Sequence, residues 1–184
     1  APLVWMQTQN FSANSVVTWE EEYQAYTSNT RVIPNAQIVP MFSAPIMPGQ
    51  ALQVRQGGYG MVVPGGPPSA FSILNQTSTQ YTCGISQAVG NSNAPCCAFP
   101  LYGNMMAVIA PTNKVLLMFS SIPINVGTVA FQAYSPGILI DLTGTNQRNV
   151  TYDINSGWSG GGASWAQNIT ANSDLIPLLI QPPQ

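Results

Sequence analysis

Tyr59-Gly60-Met61-Val62-Val63-Pro64-Gly65-Gly66-Pro67-Pro68-Ser69-Ala70-Phe71-Ser72-Ile73-Leu74 reads as strand, turn, strand. Two short apolar runs flank a block of Pro and Gly, residues that fix or free the backbone where a chain must reverse. Neither run reaches the ~10–12 residues of a typical helix, and both favour the extended backbone. The same rhythm continues in both directions. Candidate strands cover 31–39, 51–55, 59–63, 70–74, 79–83, 105–110, 115–120, 128–134, 138–142, 149–154, 163–169 and 175–180. Sixteen Pro and sixteen Gly leave hardly any window for a helix. The exception is 18–25, where Glu20, Glu21 and Glu22 suit the first turn of a helix as well as a solvated strand or loop. Many short strands at regular spacing predict an all-β fold, a single-domain β-sandwich of immunoglobulin-like or pilin-like Greek-key type.

Composition narrows what such a domain does. Apolar residues form 45% of the 184, an ordinary share, but charged residues form only 5%, against roughly 25% in typical soluble domains. Arg31, Arg55, Lys114 and Arg148 are the basic residues; Glu20, Glu21, Glu22, Asp141, Asp153 and Asp174 are the acidic ones; there is no His. Residues 56–113 carry no formal charge. Disordered chains are poor in aromatic and β-branched residues, and this chain is rich in both. Few groups change protonation between strong acid and neutrality, so stability should respond weakly to acid. That suits an acidic habitat, although a secreted protein with a Ser, Thr and Asn surface has the same composition. Nucleic-acid binding is excluded, because four scattered cations make no basic patch. Residues 105–124 are apolar but interrupted at 111–114, short of the ~20 that span a membrane. Ala1-Pro2 is expected to begin a mature chain after a signal segment is removed.

Cys83, Cys96 and Cys97 fit no zinc pattern. Without an imidazole beside it, none is a conventional catalytic nucleophile. In an exported chain they predict one disulfide, from Cys83 to either Cys96 or Cys97. It would close a Gly/Ser/Asn-rich loop and contribute about 3 kcal/mol. Three reduced core thiols are the alternative. Four sequons, at Asn10, Asn75, Asn149 and Asn168, mark candidate N-glycosylation sites. Under period-2 geometry Asn149 stands on the opposite strand face from Val150, Tyr152 and Ile154. Apart from N-linked glycans no cofactor is expected, and no metal.

The absence of His removes the usual serine and cysteine triads, and no phosphate-binding loop joins a strand to a helix. Glu20, Glu21, Glu22 and Asp141 are the candidates for an acid-acting carboxyl hydrolase; a solvated Glu run explains the first three as well. An enzyme is not expected. Tyr59, Trp158 and Trp165 lie among Gly and Ser, where exposed rings stack on sugars in lectin-like modules.

The chain opens Pro2-Leu3-Val4-Trp5-Met6, turns polar, and reaches Phe11. So apolar a leading stretch marks a contact site. The apolar 175–180 stretch carries Pro177, which confines a strand to a sheet edge. With this leading run, the β-rich body, the four sequons and the scarcity of charge, the chain resembles subunits of the thread-type surface filaments of thermoacidophilic archaea. The resemblance implies an extracellular, glycosylated β-sandwich pilin, polymerising head to tail by donor-strand complementation, for adhesion or cell–cell contact. It implies a donor extension over residues 1–17, with Leu3, Val4, Trp5, Met6 and Phe11 filling a neighbour's groove, and an acceptor domain over 18–184. The partners would be copies of the same chain, with cell-surface glycans a further possibility. A secreted adhesin, lectin or coat-type sandwich is the competing reading.

Overall fold

The computed structural model describes residues 1–180, and thirteen strands run through them, with helix confined to short turns. The backbone groups into two compact units, Ala1–Pro111 with Ile124–Val129, and Thr112–Pro123 with Ala130–Gln184. The first unit holds β1 (Tyr23–Ser28), β2 (Phe42–Ile46), β3 (Gln50–Val54), β4 (Gly60–Pro64), β5 (Phe71–Asn75), β6 (Tyr81–Val89), β7 (Ser92–Leu101) and β8 (Met106–Ile109). The second holds β9 (Lys114–Met118), β10 (Gly137–Asp141), β11 (Thr151–Asp153), β12 (Gly157–Ser159), β13 (Ala166–Ile169) and the single-turn helix α1 (Ile176–Leu179). The expected all-β, sandwich-like fold is what forms.

In the first unit one sheet runs β2-β1-β6-β7 and the other β4-β3-β5-β8. All their pairings are antiparallel except β3 with β5. Ala25, Ile46, Ile85 and Leu101 from the first sheet meet Leu52, Val54, Phe71 and Ile73 from the second in one buried cluster. The second unit has a β13-β10-β9 sheet and a β11-β12 hairpin. Ile138, Leu139, Ile140 and Ile169 are buried there. Beside the hairpin the rings of Phe119, Tyr152 and Trp158 stand 4.7–5.2 Å apart.

Four stretches depart from the sequence reading, and a fifth, 18–25, which that reading left open between helix and solvated strand or loop, is decided. Residues 92–101, read as the end of a loop, form the longest strand, turned back from β6 at Gly90 (φ 58°) and Asn91. Only isolated bridges occur within 31–39 and 128–134. Residues 18–25 form no helix; β1 starts at Tyr23. The 175–180 stretch coils into α1, because Pro177 lies in a first helical turn, where its missing N–H has no bond to lose.

Candidate assembly site at the leading segment

The site is built outward from a β-bulge. Ile85 lies opposite Cys97 and Ser86 opposite Pro95, so Cys96 is the extra residue of β7. A bulge sets two residues against one and re-aims their side chains. Both neighbouring cysteines therefore pack against the same buried cluster instead of alternating across the sheet. Gly84, next to Ile85, makes room for Tyr26, which is fully buried and whose hydroxyl donates to the Cys97 carbonyl oxygen at 2.7 Å. Burial, with the cysteine sulfurs nearby, raises the Tyr26 pKa, so the phenol keeps this proton.

The outer edge of β7 is occupied by the start of the chain. Pro2 pairs antiparallel with Cys97; Leu3 N–H donates to Cys96 O at 3.2 Å and Ala98 N–H to Ala1 O at 3.0 Å. Those two bonds straddle the Pro2–Cys97 pair, making it a narrow, non-hydrogen-bonded pair with Cα atoms about 4.5 Å apart. Toward β7, Pro2 thus sits at a position where its missing N–H has no carbonyl to serve. On its other side the segment pairs again. Leu3 bridges Val129, Val4 N–H donates to Thr128 O at 2.9 Å, and Gly127 N–H donates to Val4 O at 2.6 Å. Residues 127–129 pair in turn with 36–38 through Ile38 N–H to Gly127 O and Val129 N–H to Ala36 O. Residues 1–4 are thus an interior strip of the sheet, bonded left and right. Leu3 is 5% exposed beside fully buried Val129.

The leading stretch, expected to fill a neighbour's groove, has a seat within its own chain. Leu3 is buried within the chain, and Val4, Trp5 and Met6 are half-buried. Phe11 is 68% exposed. The reason is the gap between β7 and 127–129: left open, it would bare two rows of unpaired backbone groups, which are costly and prone to aggregate. No periodic pattern announces 127–129 as an acceptor, because three residues are too few to carry one. Beyond Met6 the chain leaves the body. Residues 7–18 are exposed, with local hydrogen bonds such as Thr8 Oγ1 to Asn10 O and Ser12 N–H to Ser15 Oγ. The excursion closes where Trp5 meets Trp19 edge-on at 5.4 Å, and Glu20 N–H rejoins the body at Ala88 O.

The thiols are free, and the expected bridge from Cys83 is not formed. Residues 84–95 belong to a hairpin whose register fixes Cys83 opposite Phe99. Cys97 is then a diagonal neighbour, about 7–8 Å away, where a disulfide needs Cα atoms roughly 4.4–6.8 Å apart. Burial pushes the Cys83 thiol up to about 12. The Cys96 and Cys97 thiols contact each other, which lowers the pKa of Cys97 and raises that of Cys96; Cys96 Sγ also reaches Ile85 O at 3.1 Å.

The chain matches no family model, no curated protein and no solved structure. Its remaining candidates are placed by geometry alone. Asn10, Asn149 and Asn168 are exposed. Asn75 is fully buried, so the folded chain leaves no room for a glycan there. Its amide nitrogen donates to Thr79 O and Leu101 O, and its oxygen accepts from the backbone and hydroxyl of Thr77. Glu20, Glu21 and Glu22 are exposed ahead of β1. Asp141 and Asp153 accept backbone N–H bonds from Thr143 and from Asn155 and Ser156, and Asp174 accepts one from Ile176. No cluster of three or more potential metal ligands occurs among the described residues, nor any helix long and apolar enough to cross a membrane. Tyr59 is 64% exposed against Phe42, Trp158 lies in the aromatic trio, and Trp165 is half-buried under Arg148.

Proposed function

We propose that this chain is an exported, N-glycosylated structural subunit that assembles into an extracellular filament by exchanging its leading segment between copies. The observation that carries this reading is the two-sided pairing of residues 1–4 between β7 and 127–129. A strip inserted there is equivalent whichever copy supplies it. Its main-chain bonds set the register and Leu3 fills the buried position, as in β-augmentation. The 5–19 stretch, exposed over 7–18, reaches about 50 Å when fully extended, enough to cross to a neighbour.

Exchange makes and breaks the same bonds, so the balance between the closed monomer and the open polymer rests on effective concentration. A flexible tether holds a segment at mM effective concentration near its own gap. Growth therefore requires copies presented at comparable density or before the segment has closed. Each copy then gives forward and receives from behind, a heterologous contact that does not close into a ring. Glycans on Asn10, Asn149 and Asn168 would keep so weakly charged a surface solvated.

Pro2→Cys tests this, because a narrow antiparallel pair suits a disulfide to Cys97. After assembly and oxidation with a small-molecule disulfide, the variant should run as a covalent ladder on a non-reducing gel. Cys97→Ser in the same background should abolish the ladder. Intramolecular closure alone, with monomer the only band in material assembled at high concentration, would overturn the exchange.

A further inference from the structure

The second unit holds half of the chain's ten charged residues, Lys114, Asp141, Arg148, Asp153 and Asp174. Two of the chain's four basic residues, Lys114 and Arg148, stand around Trp165. The β13-β10-β9 register explains how. Lys114 lies opposite Asp141, and Leu139 lies opposite Gln167. Leu139 and Asp141 are two apart and share a strand face with those partners. Asp141 N–H donates to Trp165 O at 2.9 Å, which draws the indole to the end of that face. With Ser164, these side chains line an open pocket of about 100 Å³.

Its chemistry is mixed but directional. The Arg148 guanidinium carbon lies 4.8 Å from the Trp165 ring centroid, and its Nε donates to Asp141 O at 3.2 Å. Asp141 Oδ1 accepts Thr143 N–H at 2.8 Å. Lys114 lies across the register from Asp141, whose pKa it helps to lower, and lines the pocket where a ligand can reach it. The pocket thus offers an apolar floor at Leu139, an indole wall, an amide, a hydroxyl, one carboxylate and one cation, Lys114, with Arg148 stacked on the indole outside the lining.

We propose that this pocket binds a single acidic sugar residue of the hexuronate type. Its carboxylate would pair with Lys114, its hydroxyls with Asp141, Gln167 and Ser164, and its C–H surface with the indole. Asp141 disfavours a compact anion such as phosphate, which would meet the carboxylate as well as Lys114. An extended ring separates its carboxylate from the hydroxyls that a carboxylate accepts. The proposal does not depend on strand exchange.

The test is an NMR titration of the full chain, following the indole N–H signals, with methyl glucuronide, methyl glucoside and acetate as separate arms. Methyl glucuronide should saturate with a Kd of about 1 mM, with the glucoside at least tenfold weaker and acetate without effect. Lys114→Gln should weaken glucuronide about tenfold, and Trp165→Ala should abolish saturation. Should Trp165→Ala misfold, Lys114→Gln decides. Equal response to glucuronide and glucoside, a matching response to acetate, unchanged binding by Lys114→Gln, or no saturation at ten times the expected constant would each overturn the site.

Discussion

Gly84 shows how one missing side chain can shape a site three strands wide. A Cβ built there would collide with the Cys97 carbonyl oxygen and come within 2.5 Å of the Tyr26 hydroxyl. Cys97 belongs to the bulge that presents β7 to the leading segment, and the Tyr26 hydroxyl, from β1, holds its carbonyl. Gly84→Ala should therefore displace Tyr26 and loosen the bulge together, at about 3 kcal/mol, the cost of overpacking plus a lost buried hydrogen bond. Chemical denaturation would read the stability, and hydrogen exchange at the Leu3 and Ala98 amides would read the edge. Unchanged protection of those two amides would show that the bulge does not hold the segment. Asn75 carries a related lesson. Its sequon is intact, yet its amide is consumed by the loop it organises, so a sequence motif for modification becomes a structural bolt.

At the scale of elements, the leading strip and its gap make the clearest demand. Removing residues 1–6 would leave β7 and 127–129 each with a bare row of donors and acceptors, an invitation to promiscuous pairing. The truncated chain should unfold at lower denaturant or aggregate, and a peptide of sequence APLVWM added in excess should restore stability by mass action. A truncation as stable as the full chain, with no response to peptide, would mean the strip contributes nothing to the sheet. Much of this layer was legible beforehand. The runs at 59–63 and 70–74, punctuated by Pro and Gly, became β4 and β5 nearly as read, because turn chemistry and extended propensity agree there. The hairpin partner 92–101 was missed because Pro95 and the small residues Ser92, Asn93 and Ala94 mask strand character. What makes it a strand is pairing with β6, a tertiary effect absent from local pattern. The disulfide expectation failed with it, since spacing in sequence says nothing of cross-strand register. The apolar leading stretch was legible as a contact element, while its acceptor was not, being assembled from residues far apart in the chain.

For the whole molecule, the scarcity of ionisable groups governs the response to acid. Asp141 and Asp153 have pKa values held below the ordinary 3.8, chiefly by hydrogen bonds from Thr143 and from Asn155 and Ser156. Such depressed values mean the folded state prefers the charged carboxylate. The stability they contribute is present above the ordinary value and is lost as pH falls through their lowered ones. With no imidazole to titrate, the melting temperature should stay flat between roughly pH 5 and 6.5 and decline only below about 3.8. Asp153→Asn should shrink that acid decline. Calorimetry across the range checks both, and a fall centred above pH 5 would contradict them.

Pro2 imposes one last constraint on any strand that enters the gap. Slide the strip by a single residue and the imide nitrogen would face a β7 carbonyl that waits for a proton, while Leu3 would turn its isobutyl group to the opposite face. A ring with nothing to donate therefore acts as an indexing pin: the strip is admitted in one phase, and a look-alike greasy peptide lacking that proline would find several.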